Sequence, residues 1–143
     1  MSRVFLNVRL RAFCHATENP SKVKDALEFL LPGGIVQENT TTGHHGNPIV
    51  IYEVRSEKKS EVKSFWDRIT SSVPKGPLLE DLENRIDDDC VLHARMDKQK
   101  AYLGSIEMVR HEDVVTVMSK IESYPRNRRV AIQKAIEFFG EVR

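Results

Sequence analysis

The chain has 143 residues with 40% hydrophobic and 30% charged content, which suits one globular domain over residues 1–143 with a core of its own. Its net charge of +1 argues neither for nor against nucleic acid, because field and counterion release depend on where the 22 Lys and Arg residues gather and not on their total. No apolar run approaches the roughly 18 residues that span a bilayer, Met1-Ser2-Arg3 leads into an alternating strand, and the lone Cys14 and Cys90 read as reduced, partly buried thiols, so a soluble cytoplasmic protein with no membrane partner is expected.

Val4 to Phe13 alternates, with Val4, Leu6, Val8, Leu10 and Ala12 on one face and Phe5, Asn7, Arg9, Arg11 and Phe13 on the other. This predicts a strand with one buried side and a second side that mixes arginine with aromatic rings. Asn19-Pro20 supplies an N-cap and a first-turn proline, and Val23, Ala26, Leu27 and Leu30 recur at helical spacing until Pro32-Gly33-Gly34 ends the helix. Ile35 to Thr42 and Asn47 to Arg55 predict a hairpin with Gly43-His44-His45-Gly46 at its tip. Ser56 is placed to cap a helix that buries Val62, Phe65, Trp66, Ile69 and Val73 and breaks at Pro74-Lys75-Gly76-Pro77. A shorter helix carries Leu78, Leu79, Leu82 and Ile86 on its apolar side. Asp87-Asp88-Asp89 then belong to a turn, since a helix C-terminus already holds the negative end of its dipole.

The stretch Leu92 to Gly104 organises the rest. Cys90, Leu92, Ala94 and Met96 fall on one side of a strand and Val91, His93 and Arg95 on the other. Asp97 then stands at an N-cap, and Lys98, Gln99, Lys100, Ala101 and Leu103 favour a short helix that Gly104 stops. Ser105 to Val109 and Val114 to Ser123 are expected to pair with each other around Arg110-His111-Glu112. Pro125 is expected to open a last helix with Ile132, Ala135, Ile136 and Phe139 on one stripe and Arg126, Arg128 and Arg129 crowded at its start. Strands in hairpins with helices between them, and no repeat or linker, predict a single α+β domain in which helices pack on one face of a mostly antiparallel sheet.

Arg11-Ala12-Phe13-Cys14-His15, Gly43-His44-His45-Gly46-Asn47-Pro48-Ile49, Leu92-His93-Ala94-Arg95-Met96-Asp97-Lys98-Gln99 and Tyr124-Pro125 before a basic helix start resemble, in this order, the archaeal RNA-binding family described as predicted exosome subunits. The resemblance runs over nearly the whole chain. It implies an α+β domain related to that of the ribosomal protein which grips the small ribosomal RNA of the large subunit. It also implies a role in RNA binding or processing, with an exosome or other RNA-processing proteins as partners.

The residues expected to contact RNA are Arg9, Arg11, Arg95, Lys98, Lys100, Arg126, Arg128 and Arg129, with His44 touching the RNA backbone from the hairpin tip. Arginine can hold a phosphate through two parallel hydrogen bonds and lie flat on a base, and Phe5, Phe13 and Tyr102 nearby would suit unpaired RNA. The plainer reading of the same residues is a solvated face with ordinary ion pairs. Reversing Arg126, Arg128 and Arg129 to glutamate is expected to weaken RNA binding and leave the fold intact. No metal or cofactor is expected: adjacent histidines on a strand point to opposite faces, and no phosphate-binding loop or nucleophile elbow is present. The alternatives are a metal-dependent nuclease or hydrolase acting through Asp87-Asp88-Asp89, Asp97 and His44 or His45, and a protein-interaction or dimer module using the open sheet face or an edge strand.

Overall fold

The computed structural model describes residues 4–43 and 46–141. Strands β1 (Val8–Cys14), β2 (Ile35–Thr42), β3 (Pro48–Ser56), β4 (Val91–Asp97) and β5 (Val114–Lys120) form an antiparallel sheet in the order β2-β3-β1-β5-β4. With helices α1 (Pro20–Leu30), α2 (Lys59–Ser72), α3 (Lys75–Glu80), α4 (Leu82–Arg85), α5 (Lys98–Tyr102) and α6 (Arg128–Glu141) they make the expected α+β fold. No helix among the described residues is long and apolar enough to cross a membrane, and both cysteines are buried free thiols. Two compact units are distinguishable, Arg9–Arg55 with Arg95–Val117, and Met1–Val8 with Ser56–Ala94 and Met118–Arg143.

In the first unit the predicted α1 is found with its bounds. Asn19 Oδ1 accepts from Ser21 N at 2.9 Å, Pro20 opens the helix, and Val23, Ala26, Leu27 and Leu30 are buried. Strand alternation buries Leu10, Ala12 and Cys14 of β1, Tyr52 and Val54 of β3, and Met96 of β4, and α1 packs against α5. Lys24 Nζ lies 5.2 Å from the Tyr52 ring centroid, a cation on an aromatic face. Gly34 is required between α1 and β2, because a Cβ there would run into the side chain of Val54. Asp97 Oδ1 accepts from Lys100 N at 2.8 Å and caps α5, and Gly104, with φ of 84°, lets the chain leave it. The hairpin expected between Ser105–Val109 and the following strand does not form. Glu107 and Val109 pair with Asp97 and Arg95 at the end of β4 instead. The reason is sheet order: β5 already has β1 on one side and β4 on the other, whereas β4 is an edge with free ladder groups.

The second unit is built on an aromatic cluster. Phe5, expected beside the arginines, is 5% exposed and stacks on Trp66 with ring centroids 4.4 Å apart and an interplanar angle of 18°. Phe138 and Phe139 meet its ring at 5.4 and 6.1 Å. The extended strand begins only at Val8, so the period of 2 that assigned Phe5 to the polar face does not apply to it. Trp66 Nε1 donates to Ser119 Oγ at 3.0 Å, and that hydroxyl donates in turn to the carbonyl of Asn7. Helix α2 buries Val62, Phe65, Trp66 and Ile69 as expected but starts at Lys59: Ser56 Oγ accepts from Lys58 N at 3.2 Å and donates to Glu61 Oε1 at 2.5 Å. The helix expected around Leu78 to Ile86 breaks at Asp81 into α3 and α4, while Leu78, Leu82 and Ile86 stay buried. Asp87 Oδ1 accepts from Asp89 N and Val91 N, which closes the acidic turn with Cys90 at φ of 63° and delays β4 to Val91. Helix α6 begins at Arg128 and not at Pro125, because Asn127 Oδ1 accepts from Arg129 N at 2.9 Å and Val130 N at 3.3 Å. Its buried stripe takes Ala131, Ile132, Ala135 and Phe139 and leaves Ile136 40% exposed.

Ser119→Ala removes the acceptor of a buried indole N–H and a donor to the Asn7 carbonyl. Urea unfolding of this variant should show a loss of about 1–3 kcal/mol with an unchanged slope.

Candidate nucleic-acid interface

Strand alternation that turns the apolar residues of the first unit inward turns its arginines outward. Arg11 sits beside Glu53, with Nη2 and Nε each 2.7 Å from Oε1, so β1 and β3 present Arg9, Arg11 and Phe13 on the same face as Glu53 and Arg55. The ladder register sets Gln37 opposite Glu53 and Asn39 opposite Ile51, which adds a row of uncharged hydrogen-bonding groups along β2. Arg95 of β4 points outward by the same alternation and lies two strands from β1 in the sheet order, about 10 Å away. Arg9, Arg55 and Arg95 are exposed, and Phe13 is 40% exposed. The face carries four arginines, Arg9, Arg11, Arg55 and Arg95, against three carboxylates: Glu53 and Asp97, which have partners already, and the exposed Glu107, which lies opposite Asp97. Arg55 is not among the residues expected from sequence, although Tyr52-Glu53-Val54-Arg55 alternates as plainly as β1 does. Only the pairing of β3 with β1 puts it on the arginine face.

The remaining expected residues divide. Arg95 Nη1 donates to the Arg110 carbonyl at 3.2 Å, which steadies the guanidinium and leaves its other N–H groups outward. Lys100 is exposed on α5. Lys98 corrects the expectation that it offers a charge to phosphate. Its side chain is 3% exposed, and Nζ lies 2.8 Å from Glu18 Oε2, 2.7 Å from Asp113 Oδ1 and 3.0 Å from the Phe13 carbonyl. Burial alone would push this ammonium down, but the hydrogen bonds and charges of Asp113 and Glu18 outweigh it and hold it above the usual lysine value. Tyr102 is 37% exposed and lines a cleft of about 290 Å³ between α1 and α5, with Lys22 Nζ 5.2 Å from its ring centroid. His44 and His45 lie outside the described residues.

Arg126, Arg128 and Arg129 belong to the other unit. Arg128 Nε donates to the Ile86 carbonyl at 2.9 Å and its Nη2 to the Glu83 carbonyl, so it ties α6 to α4. Reversing all three arginines would therefore damage the fold, contrary to the expectation from sequence. Arg126 Nη1 lies 3.1 Å from Asp89 Oδ1 in a pair whose side chains are 64% and 71% exposed.

Two of the aspartates named for a metal-dependent alternative, Asp87 and Asp97, have local tasks. Asp87 Oδ2 meets His93 Nε2 at 2.8 Å while its other oxygen closes the turn. Asp97 Oδ2 meets His111 Nε2 at 3.1 Å while Oδ1 caps α5. Burial raises both carboxyls, but these hydrogen bonds outweigh it and hold each below the usual carboxylate range. Their stabilising effect is complete above the unfolded-state value of about 3.9 and is lost as pH falls through the lower folded-state value. Among the described residues no three His, Cys, Asp or Glu side chains are gathered as a metal site.

Residues 7–121 match a family model described as RNA binding. A protein of Pyrococcus abyssi named an RNA-binding protein is 32% identical over 141 residues, covering 92% of each chain. An uncharacterized protein of Methanocaldococcus jannaschii is 31% identical over 142 residues, covering 91% of this chain and 94% of its own. The structure of a DUF54 protein from Methanothermobacter thermautotrophicus superposes with a TM-score of 0.87 at 31% identity, over 96% of this chain and 99% of that one.

Lys98→Met leaves Glu18 and Asp113 without their cation, and at pH 7 it should cost about 2–4 kcal/mol by urea unfolding, the lower end being favoured because Asp113 is 53% exposed. The folded-state pKa of Lys98 is raised, so its contribution is complete below the unfolded-state value of about 10.4 and fades as pH rises through the folded one. The gap between wild type and variant should therefore hold from neutrality to about pH 10 and narrow above it.

Proposed function

The chain belongs to an archaeal RNA-binding family, and from that premise we propose that it holds RNA, without cleaving it, against the arginine-bearing sheet face of Arg9, Arg55 and Arg95. The observation that carries this reading is the face itself: exposed arginines on β1, β3 and β4 of one sheet, with an exposed Phe13 among them. Phosphates neutralised by these guanidiniums release counterions, which supplies affinity without regard to sequence. Phe13 offers a surface for one unpaired base, and Gln37 and Asn39 offer partners to ribose hydroxyls. Arg11 contributes less, because Glu53 already shares its charge. Lys100 adds a mobile point charge at the margin. The family resemblance extends the proposal to RNA processing in the cytoplasm, in company with an exosome. Co-sedimentation with a purified archaeal exosome tests that extension, and separate migration at all protein concentrations would remove it.

The central reading is tested by fluorescence anisotropy of a labelled single-stranded RNA across salt. Arg9→Ala, Arg55→Ala and Arg95→Ala should each weaken binding and lower the slope of log affinity against log salt by about 0.7, while Arg11→Ala changes it less. The RNA should stay intact with magnesium present. Folded variants that bind with the wild-type slope would sink this placement of the interface, and shortened RNA would sink the non-catalytic reading.

A further inference from the structure

Tyr124 is 99% exposed, far beyond any other large apolar side chain among the described residues of its unit. A single exposed apolar residue is ordinary on a protein surface; what separates this one is how firmly its loop is held and what flanks it. Ile121 N donates to the Cys90 carbonyl and Glu122 N to the Val4 carbonyl, both at 2.8 Å, so the chain enters the loop from fixed pairing. Lys134 Nζ donates to the Glu122 carbonyl at 2.7 Å. Across the loop, Asn127 N donates to Ser123 Oγ at 3.0 Å, and that hydroxyl faces the carbonyls of Pro125 at 3.0 Å and Asn127 at 3.2 Å. Asn127 then caps α6. The residues on either side of Tyr124 are thus tied down while its ring meets solvent on both faces. A ring presented from a fixed loop loses little conformational freedom when something stacks on it.

The charged groups that next follow Tyr124 in the chain are cationic. Arg126 is two residues away, and its pairing with Asp89 joins two well-exposed side chains, an interaction worth little in water and readily exchanged for a phosphate. Arg129 is exposed in the first turn of α6. Arg128, between them in sequence, is engaged with backbone carbonyls and anchors the helix start that carries the other two. Glu122 and Asp89 are the nearby acids; Asp89 is the partner Arg126 must give up.

We propose that Tyr124 with Arg126 and Arg129 forms a site for one unpaired RNA nucleotide, the base lying on the tyrosine ring and its backbone phosphate on the arginines. This rests on the reading of the chain as an RNA-binding protein but uses none of the residues of the arginine-bearing sheet face. Every base has a π-face, so the site accepts any base and discriminates between unpaired and paired strands, since a base inside a duplex is already stacked on both sides.

The test uses the full chain, a short single-stranded RNA and a blunt duplex of the same length. Tyr124→Ala should weaken single-strand binding about fivefold to a hundredfold, the span that stacking of one base covers, and leave duplex binding within about twofold. Tyr124→Phe should bind like wild type, because it keeps the ring and loses only the hydroxyl. A single strand carrying 2-aminopurine should be quenched by wild type and by Tyr124→Phe and not by Tyr124→Ala. Equal loss of single-strand and duplex affinity, or no loss at all, would overturn the site; no loss combined with a lower oligomeric mass would assign the ring to a contact between copies of the chain. If wild type binds neither RNA, the sheet-face reading fails together with this one, whereas an Arg9→Ala effect without a Tyr124→Ala effect removes this site alone.

Discussion

A lysine that is almost wholly buried sets the frame for the arginine-bearing unit. An ammonium removed from water must find charge and hydrogen bonds inside the protein, and Lys98 takes them from Glu18, Asp113 and the Phe13 carbonyl. Those three partners stand at the end of β1, in the turn before α1 and just ahead of β5. One side chain at the start of α5 therefore pins the ends of several elements, and the strand that carries Arg9, Arg11 and Phe13 is held at the end where Phe13 sits. The same requirement explains why Lys98 serves the architecture and not a ligand.

The consequence for recognition lies in which face is left open. Where α1 packs against α5 the apolar residues of β1, β3 and β4 are buried, and strand alternation turns the arginines the other way. On the proposed reading, such a face offers guanidiniums to phosphates and a limited aromatic surface, which favours affinity over base-by-base discrimination. Arg11 illustrates how the field is moderated: its ion pair with Glu53 keeps part of the positive charge local. The other unit handles its arginines differently, spending Arg128 on backbone carbonyls that join α6 to α4 and leaving Arg126 and Arg129 at the surface.

Several corrections share one physical origin. Local pattern assigns Phe5, Lys98 and Arg128 to the surface, and each is claimed by a partner distant in sequence: Trp66, the Glu18 and Asp113 carboxylates, and the carbonyls of Glu83 and Ile86. Periodicity reports which residues share a face only as long as the strand or helix persists. It carries no information about long-range partners that draw a charged or aromatic side chain inward. The mispaired segment Ser105–Val109 has the same cause, since adjacency in sequence favours a hairpin with β5 while sheet order reserves both edges of β5 for other strands.

Local chemistry was enough to determine α1 with its Asn19 cap, the β2–β3 hairpin, the buried faces of β1, β4 and α2, and the Asp97 cap that turns β4 into α5. Each of these is set by interactions within a few residues, where propensity, capping and a single period of apolar side chains act together. Tertiary structure alone decided that Arg55 joins Arg9 and Arg11 on one face, that Lys98 is enclosed, and that the ring of Tyr124 is left in solvent. Those outcomes depend on strand order and on hydrogen bonds between segments tens of residues apart. No local pattern encodes them, because the free energy that selects them arises only when the segments meet.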